Sequence, residues 1–328
     1  MDRRDFFKRV AVASAASAVL TVPAAQARDR ASRKMGSIID LTRCDGCVHL
    51  NTPACVTACR DKNAGRFPEP EERFLQDYWP QDFHEDWSSE RDRTDRLTPY
   101  NWTFVERVEV PGGETVFVPR RCMHCDDAAC QKLCPFGVIG KSEEGAVNID
   151  TEFCMGGAKC RATCPWNIPQ RQAGVGLYTK LLPKLAGGGS MYKCDGCADR
   201  LANDEKPACE VECPRDAITF GPIDEIKAEA KRRAEAIGGH LYGLDEAGGT
   251  STIYISKVPF EVIDRAIALD KAHTQDDLPG RPHMRPEIQS SLQNAGGLFV
   301  ASVLAPIAGA AAAGIAVYKS RQKERDDA

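Results

Sequence analysis

The sequence has few aromatic residues and little net charge. Aromatic residues make up 7% of the 328 residues, and large aliphatic residues are sparse between positions 40 and 220. That stretch cannot build a sizeable apolar core by itself, so it needs cross-links of another kind, as small metal-binding domains do. The formal net charge is −4, which gives nucleic-acid binding no overall electrostatic support. We therefore expect no nucleic-acid partner.

Several functional motifs are also missing. No C-x-x-C pair continues as C-x-x-C-H, because the residues after the three pairs are Val48, Asp126 and Ala198. This excludes covalently attached haem. The sequence contains no nucleophile–base pair, no nucleotide-binding loop and no pair of catalytic carboxylates. These absences predict no catalytic residues and no substrate site on this chain.

Cysteine, by contrast, is abundant, and fifteen cysteines fall into four sets. The final cysteine of the last three sets precedes Pro135, Pro165 or Pro214. Spacings of roughly C-x2-C-x(n)-C-x3-C-P hold cubane iron–sulfur clusters, so four sets predict four clusters. The members are Cys44, Cys47, Cys55 and Cys59 in set one; Cys122, Cys125, Cys130 and Cys134 in set two; Cys154, Cys160 and Cys164 in set three; and Cys194, Cys197, Cys209 and Cys213 in set four.

Zinc and disulfide bonds are the two other uses that such cysteines could have. A single C-x-x-C pair would favour zinc, but four sets with x3-C-P endings differ from zinc ribbons. An exported chain can carry disulfides, yet fifteen is an odd number and the spacing repeats in the manner of metal ligands. The sequence therefore favours iron–sulfur clusters over both.

The N-terminus resembles a twin-arginine export signal over residues 1–27. Residues 3–8 read RRDFFK, close to the pattern R-R-x-F-L-K, and a mildly apolar run follows from Val10 to Val22. Ala25-Gln26-Ala27 then provides a small-x-small cleavage site. The alternative is an amphipathic helix with a chance arginine pair. The twin-arginine route carries folded proteins, which suits a chain that receives its cofactors before export.

The C-terminus predicts a transmembrane helix over residues 295–318. Residues 297–318 carry no charge, and at 1.5 Å per residue they can cross a hydrocarbon core of about 30 Å. Four basic residues in the tail, residues 319–328, predict a cytoplasmic end. The globular part is then expected on the periplasmic side of the bacterial inner membrane. The segment is rich in Ala and Gly and contains Pro306, so we expect it to pack against a membrane partner; the alternative is a buried soluble helix.

Between the two ends, the sequence predicts an α+β fold of tandem, duplicated bacterial ferredoxin-like modules with insertions, followed by the transmembrane helix. The four-cluster domain is expected over residues 28–222, with an acidic insertion at 61–121 that we expect to form partner-contacting surface. A C-terminal extension and linker is expected over 223–294.

Local patterns refine this picture with hairpins, a helix and an edge strand. Residues 101–109 and 115–119 predict a hairpin around Pro111-Gly112-Gly113, and residues 138–150 predict a second one. A solvent-facing helix is predicted over 223–237, with acidic residues in its first turn. Residues 251–258 predict an edge strand, and residues 270–292 a polar linker.

The cysteine sets resemble those of the iron–sulfur electron-transfer subunits of membrane-bound respiratory oxidoreductases. With the N-terminal signal and the C-terminal anchor, the chain is most similar to HybA-type subunits of nickel–iron hydrogenase 2. Residues 95–100 (DRLTPY), 227–233 (KAEAKRR), 240–243 (HLYG) and 248–250 (GGT) support the resemblance, which covers most of the chain. Set one departs from the family pattern in its longer spacing, and set three lacks a cysteine.

The resemblance implies how the cysteines are shared between clusters. The last cysteine of one set completes the cluster of a partner set, as in two-cluster ferredoxins, and the outer sets pair with each other, as do the inner sets. The implied [4Fe–4S] sites are site A (Cys44, Cys47, Cys55 and Cys213), site B (Cys194, Cys197, Cys209 and Cys59) and site C (Cys122, Cys125, Cys130 and Cys164). Site D has only Cys154, Cys160 and Cys134.

Site D lacks its fourth ligand because Gly157 stands where a C-x2-C-x2-C spacing requires cysteine. Three thiolates suit a [3Fe–4S] cluster, which we expect to have a higher potential than its four-iron neighbours. A four-iron cluster capped by water or a nearby side chain, or an empty site, are the alternatives. The expected cofactors are three [4Fe–4S] clusters and one [3Fe–4S] cluster.

Several charged or polar residues flank the cysteines. His124 lies inside set two and either donates a hydrogen bond to cluster sulfur or faces solvent. Arg121, Arg161 and Lys193 are expected to balance cluster charge.

The resemblance also implies partners. Electrons would pass between the catalytic subunits of a nickel–iron hydrogenase and an integral membrane subunit that binds quinone. A molybdenum or tungsten enzyme, such as formate dehydrogenase or a sulfur- or nitrogen-compound reductase, is the alternative electron source. A membrane-tethered structural or metal-storage protein is a third possibility, but it would not explain the paired sets or the Cys-Pro endings.

Overall fold

The computed structural model describes residues 33–79, 82–186, 188–275 and 278–289. The predicted signal peptide and the predicted transmembrane helix and tail lie outside these ranges. Within them, no helix has both the length and the apolar character needed to cross a membrane.

The described part of the chain combines ten strands with nine α-helices, most of them short, as a mixed α and β fold. The strands are β1 (Met35–Asp40), β2 (Phe104–Glu109), β3 (Thr115–Arg120), β4 (Ile139–Lys141), β5 (Val147–Ile149), β6 (Gln170–Gln172), β7 (Ser190–Tyr192), β8 (Ile218–Pro222), β9 (His240–Tyr242) and β10 (Thr252–Ser256). The helices are α1 (Ala54–Asn63), α2 (Ala129–Lys132), α3 (Lys159–Ala162), α4 (Leu177–Leu181), α5 (Pro183–Ala186), α6 (Ala198–Leu201), α7 (Ala208–Val211), α8 (Ile223–Ile237) and α9 (Phe260–Thr274).

A four-stranded sheet in the order β8-β1-β10-β9 supports the cysteine-rich region. β1 and β10 are parallel, and the other two pairs are antiparallel. The prediction of an edge strand at 251–258 is wrong, because β10 lies inside the sheet and all of its residues are buried. Its polar side chains have internal partners rather than water: the Thr252 hydroxyl donates to the Cys122 carbonyl (3.4 Å).

Helix α8 covers one face of this sheet, with the bounds that the sequence predicts. Ile226, Ala230 and Ala234 pack against the strand residues Ile38, Ile253 and Ile255. Asp224 and Glu225 lie in the first turn, where their charges favour the helix dipole. Because one face of α8 is buried in this way, only its other face is solvent-facing.

The opposite face of the sheet packs against the insertion and α9. The predicted hairpin is confirmed as β2 and β3, which pair along their whole length. Trp87 and Trp102 of the insertion are only 5% and 4% exposed, whereas Trp79 is 56% exposed. The expectation that the insertion is partner-contacting surface is therefore wrong for its buried part, because its aromatic residues supply the core that the cysteine-rich region lacks.

The segment after α9 packs back onto the insertion instead of forming a free linker. The Leu97 amide donates to the Gly280 carbonyl (2.9 Å), and Arg120 donates to the His283 carbonyl (2.8 Å). The buried Glu106 carboxylate pairs with Arg281 at 3.1 Å and with Arg120 at 3.3 Å. The predicted linker at 270–292 is thus partly helix α9 and partly a strap fastened to β2 and β3.

Candidate iron–sulfur sites

The first loop of every set has the same left-handed turn. The residue two positions after the first cysteine has a positive φ in all four sets: 65° at Gly46, 48° at His124, 69° at Gly156 and 67° at Gly196. Glycine adopts this conformation without steric cost, which explains three of the four residues. His124 is the exception, so its side chain needs a separate explanation.

The outer two sets share a further feature that the inner two lack. Cys47 and Cys197 also have positive φ, 48° and 52°. In both loops an aspartate side chain, Asp45 or Asp195, accepts a hydrogen bond from the cysteine amide at 2.9 Å. The loops of set one and set four therefore share one backbone conformation.

Backbone amides point at the cysteine sulfurs. The amides of Gly156, Gly196 and Ala217 donate to the sulfurs of Cys154 (3.5 Å), Cys194 (3.4 Å) and Cys213 (3.3 Å), respectively. Such donors stabilise negative charge on sulfur and are one means by which proteins set cluster potentials.

The structure brings the fifteen cysteines into four neighbourhoods. Each is a free thiol. Site A lines one small cavity, walled in part by Pro53, Val105 and Ile218. The other three neighbourhoods are groups of cysteines whose charges act on one another. They are Cys59 with Cys194, Cys209 and Cys197; Cys125 with Cys122, Cys164 and Cys130; and Cys160 with Cys154 and Cys134, with Cys130 also near the last group. Iron ligation by these groups stays a prediction.

Without metal, the buried thiols of Cys44 and Cys160 hold their protons. Burial, opposed in part by the Gly46 amide and reinforced by Cys213, raises the pKa of Cys44 to about 11. Burial and the neighbouring Cys154 raise the pKa of Cys160 to about 12. Because iron binds thiolates, loading the sites must release protons.

Two buried cations show that a buried anion fits this region. Arg121 and Lys193 are 3% and 6% exposed, and neither pairs with a carboxylate in the described part of the chain. The Arg121 guanidinium donates to the Ser37 hydroxyl (2.5 Å), and the Lys193 ammonium donates to the carbonyls of Val147 and Cys194. An unpaired buried charge is costly. A thiolate-ligated iron–sulfur cluster is an anion and would supply the missing counter-charge.

Gly157 faces open space. A Cβ atom built on this residue meets no described atom within 4 Å, and its φ is not positive. Gly157 lines an open cavity together with Lys159, Arg161 and Trp166. No described side chain takes the position of the missing cysteine Cβ.

His124 is buried, so the solvent-facing interpretation is wrong. It is 4% exposed, its Nδ1 accepts a hydrogen bond from the Val147 amide (2.9 Å), and its Nε2 lies 3.7 Å from the Cys194 sulfur. The sequence left open which sulfur it contacts, and the structure places it against set four rather than its own set. The sequence signal for this contact is a histidine at the loop position where the other three sets carry glycine.

Arg161 pairs with a carboxylate, and its charge also acts on the Cys160 sulfur. Its guanidinium makes two hydrogen bonds to Glu85 (2.8 and 2.6 Å), and Arg171 pairs with the same carboxylate at 2.5 Å. Glu85 thus ties the insertion to set three, and Arg161 already has a carboxylate partner.

Comparison with known proteins gives consistent matches. Two family profiles, both described as 4Fe-4S dicluster domain, match residues 43–138 and 114–223. The hydrogenase-2 operon protein HybA of Escherichia coli O157:H7 is 30% identical over 305 residues, covering 80% of this chain and 83% of that protein. The B subunit of anaerobic dimethyl sulfoxide reductase from E. coli K12 is 34% identical over 192 residues, covering 58% of this chain and 75% of that protein. A protein of Nitratidesulfovibrio vulgaris is 31% identical over 270 residues, covering 79% of this chain; the chain spans 65% of that relative's length.

Proposed function

The chain belongs to the family of ferredoxin-like iron–sulfur electron-transfer subunits of respiratory oxidoreductases, near HybA, and from this membership we propose that it relays electrons between a nickel–iron hydrogenase and a quinone-reactive membrane subunit. The observation that carries the proposal is the gathering of fifteen buried or half-buried cysteines into four neighbourhoods with two unpaired cations among them. The clusters would supply one-electron carriers, and the protein would hold them, exclude water and set their potentials.

The proposal includes the cluster content and the location. Sites A, B and C would hold [4Fe–4S] clusters and site D a [3Fe–4S] cluster, since Gly157 stands where the ligand spacing requires a fourth cysteine. The globular part would lie on the periplasmic side of the inner membrane. The twin-arginine pattern in residues 1–27 and the uncharged segment with its basic tail support this location.

The complex itself provides the test of function. The chain would be purified with its partners from solubilised membranes, and nickel and molybdenum would be measured. We expect nickel, reduction of the clusters by hydrogen, and reoxidation by a quinone. Molybdenum without nickel would overturn the hydrogenase assignment in favour of a sulfoxide-reductase type of complex, for which the similarity to the B subunit of dimethyl sulfoxide reductase is the supporting observation. Clusters that neither hydrogen nor quinol changes would contradict electron relay altogether.

The shared ligand pattern predicts that two cysteines four residues apart serve different clusters. Cys209→Ser should alter the same electron paramagnetic resonance (EPR) signal as Cys194→Ser, because both belong to site B. Cys213→Ser should instead alter the signal changed by Cys44→Ser, because Cys213 lies with Cys44 around the site A cavity.

Each pair of variants is the control for the other, since Cys209 and Cys213 both lie at α7, within it and just after it, and disturb it similarly. If Cys209→Ser and Cys213→Ser change one and the same signal, the proposed sharing of ligands between sets one and four is incorrect.

A further inference from the structure

Two buried cations, Arg121 and Lys193, each lie beside a cysteine of one set and also reach cysteines of another set. We call this arrangement the crossing. Arg121 directly precedes Cys122 of site C, yet its guanidinium lies over the Phe220 ring, 4.9 Å from the ring centre, and Phe220 packs on the apolar cluster that includes Cys209 of site B. Lys193 directly precedes Cys194 of site B, yet its ammonium donates to the Val147 carbonyl, and Val147 belongs to the apolar cluster on which Cys125 and Cys130 of site C pack. Each cation thus reaches a site whose cysteines belong to the other set, although Lys193 also lies beside Cys194 of site B.

His124 also belongs to set two and contacts a cysteine of set four, as a neutral hydrogen-bond donor. Because a backbone amide can only donate, the Val147 N–H fixes Nδ1 of His124 as the acceptor and leaves the hydrogen on Nε2. That Nε2–H faces the Cys194 sulfur at 3.7 Å. The ring also packs on the neighbouring loop: a Cβ at Gly196 would lie 3.2 Å from His124 Cε1.

A cluster gains negative charge when it is reduced. A fixed cation or an N–H donor beside its sulfurs stabilises the reduced form more than the oxidised form, and so raises the reduction potential. The effect is strong at buried positions, where water screens little.

We propose that Arg121, His124 and Lys193 are positioning residues that set cluster potentials across the two sets. Arg121 and His124, from the loop of set two, raise the potential of the site B cluster, and Lys193, from the loop of set four, raises that of site C. This inference rests on the proposed function, since it requires clusters in both sites. The reduction potentials of the site B and site C clusters then depend on how sets two and four pack together.

The first test is His124→Gly. The other three sets carry glycine at this loop position with nearly the same φ, so the backbone tolerates the change. Loss of a hydrogen bond to a charged sulfur should lower the equilibrium constant for reducing the site B cluster about tenfold, which is about 59 mV for a one-electron couple. The midpoint potentials would be measured by EPR-monitored redox titration, with the site B signal identified through Cys197→Ser.

The second test uses the crossing itself. Arg121→Met should lower the potential of site B and leave site C unchanged, although its sequence neighbour belongs to site C. Lys193→Met should lower the potential of site C more than that of site B, because Lys193 also lies beside Cys194. Arg121→Lys and Lys193→Arg keep the charge and should restore most of each potential. A purely structural role would not produce this exchange between sites.

Arg43→Met is the matched control, because Arg43 also precedes the first cysteine of a set but is 48% exposed, so that water screens its charge. It should change no potential measurably. Unchanged potentials in His124→Gly and Arg121→Met, at full iron content, would overturn the inference; so would a shift confined to site C in Arg121→Met. If a methionine variant loses iron, His124→Gly decides the matter. Absence of iron from the parent protein would instead contradict the proposed function.

Discussion

Replacing Gly157 with cysteine should convert the proposed three-iron cluster of site D into a four-iron cluster. The new residue restores the C-x2-C spacing from Cys154, and the structure has room for it, because a Cβ at this position meets no described atom within 4 Å. Gly157 has no positive φ, so cysteine adds no backbone strain. We expect about one more iron per chain and a lower potential at this site, since the fourth thiolate adds negative charge.

The measurement is EPR of the air-oxidised protein together with iron and sulfide analysis. The parent should show a three-iron signal that Gly157→Cys loses. Gly157→Ala is the control, because it fills the same space without a ligand and should keep the signal. A parent without any three-iron signal, or a Gly157→Cys variant that retains it with unchanged iron, would show that site D is not a three-thiolate site opened at residue 157.

Local patterns make the cysteine sets, the hairpin and helix α8 predictable from sequence. The hairpin follows from alternating apolar residues around Gly112 and Gly113, and α8 follows from its acidic first turn and its end before Gly238. Ligand spacing is equally local, which is why Gly157 can be singled out from the sequence alone. Each of these inferences depends on residues within a short stretch of the chain.

Features that depend on contacts between distant segments are not predictable in this way. β10 looks like an edge strand because it contains serine and threonine, but Thr252 is buried by bonding to the Cys122 carbonyl, 130 positions away. Trp102 packs beside Tyr192, so the acidic insertion contributes core. The crossing of Arg121 and Lys193 likewise follows only from the packing of set two on set four.

Removing the iron should unfold the cysteine-rich region while leaving α8 folded. Four helices of the cysteine-rich region have only four residues each: α2, α3, α6 and α7. Helices this short are unstable without tertiary contacts, and cysteines of sets two, three and four lie within or beside them. The cations Arg121 and Lys193 would also lose the anion that their burial requires. Metal binding supplies on the order of 10 kcal/mol of folding energy in small metal domains.

Hydrogen exchange measured by mass spectrometry would show this loss region by region. After anaerobic chelation, amides in residues 122–135, 154–167 and 194–217 should exchange at least about a hundredfold faster, equivalent to about 3 kcal/mol. Helix α8 should change much less, because Ile226, Ala230 and Ala234 pack on isoleucines of the sheet. Reconstitution with iron and sulfide should restore protection. Equal protection with and without iron would mean that side-chain packing alone holds these loops, and the two buried cations would then need another counter-charge.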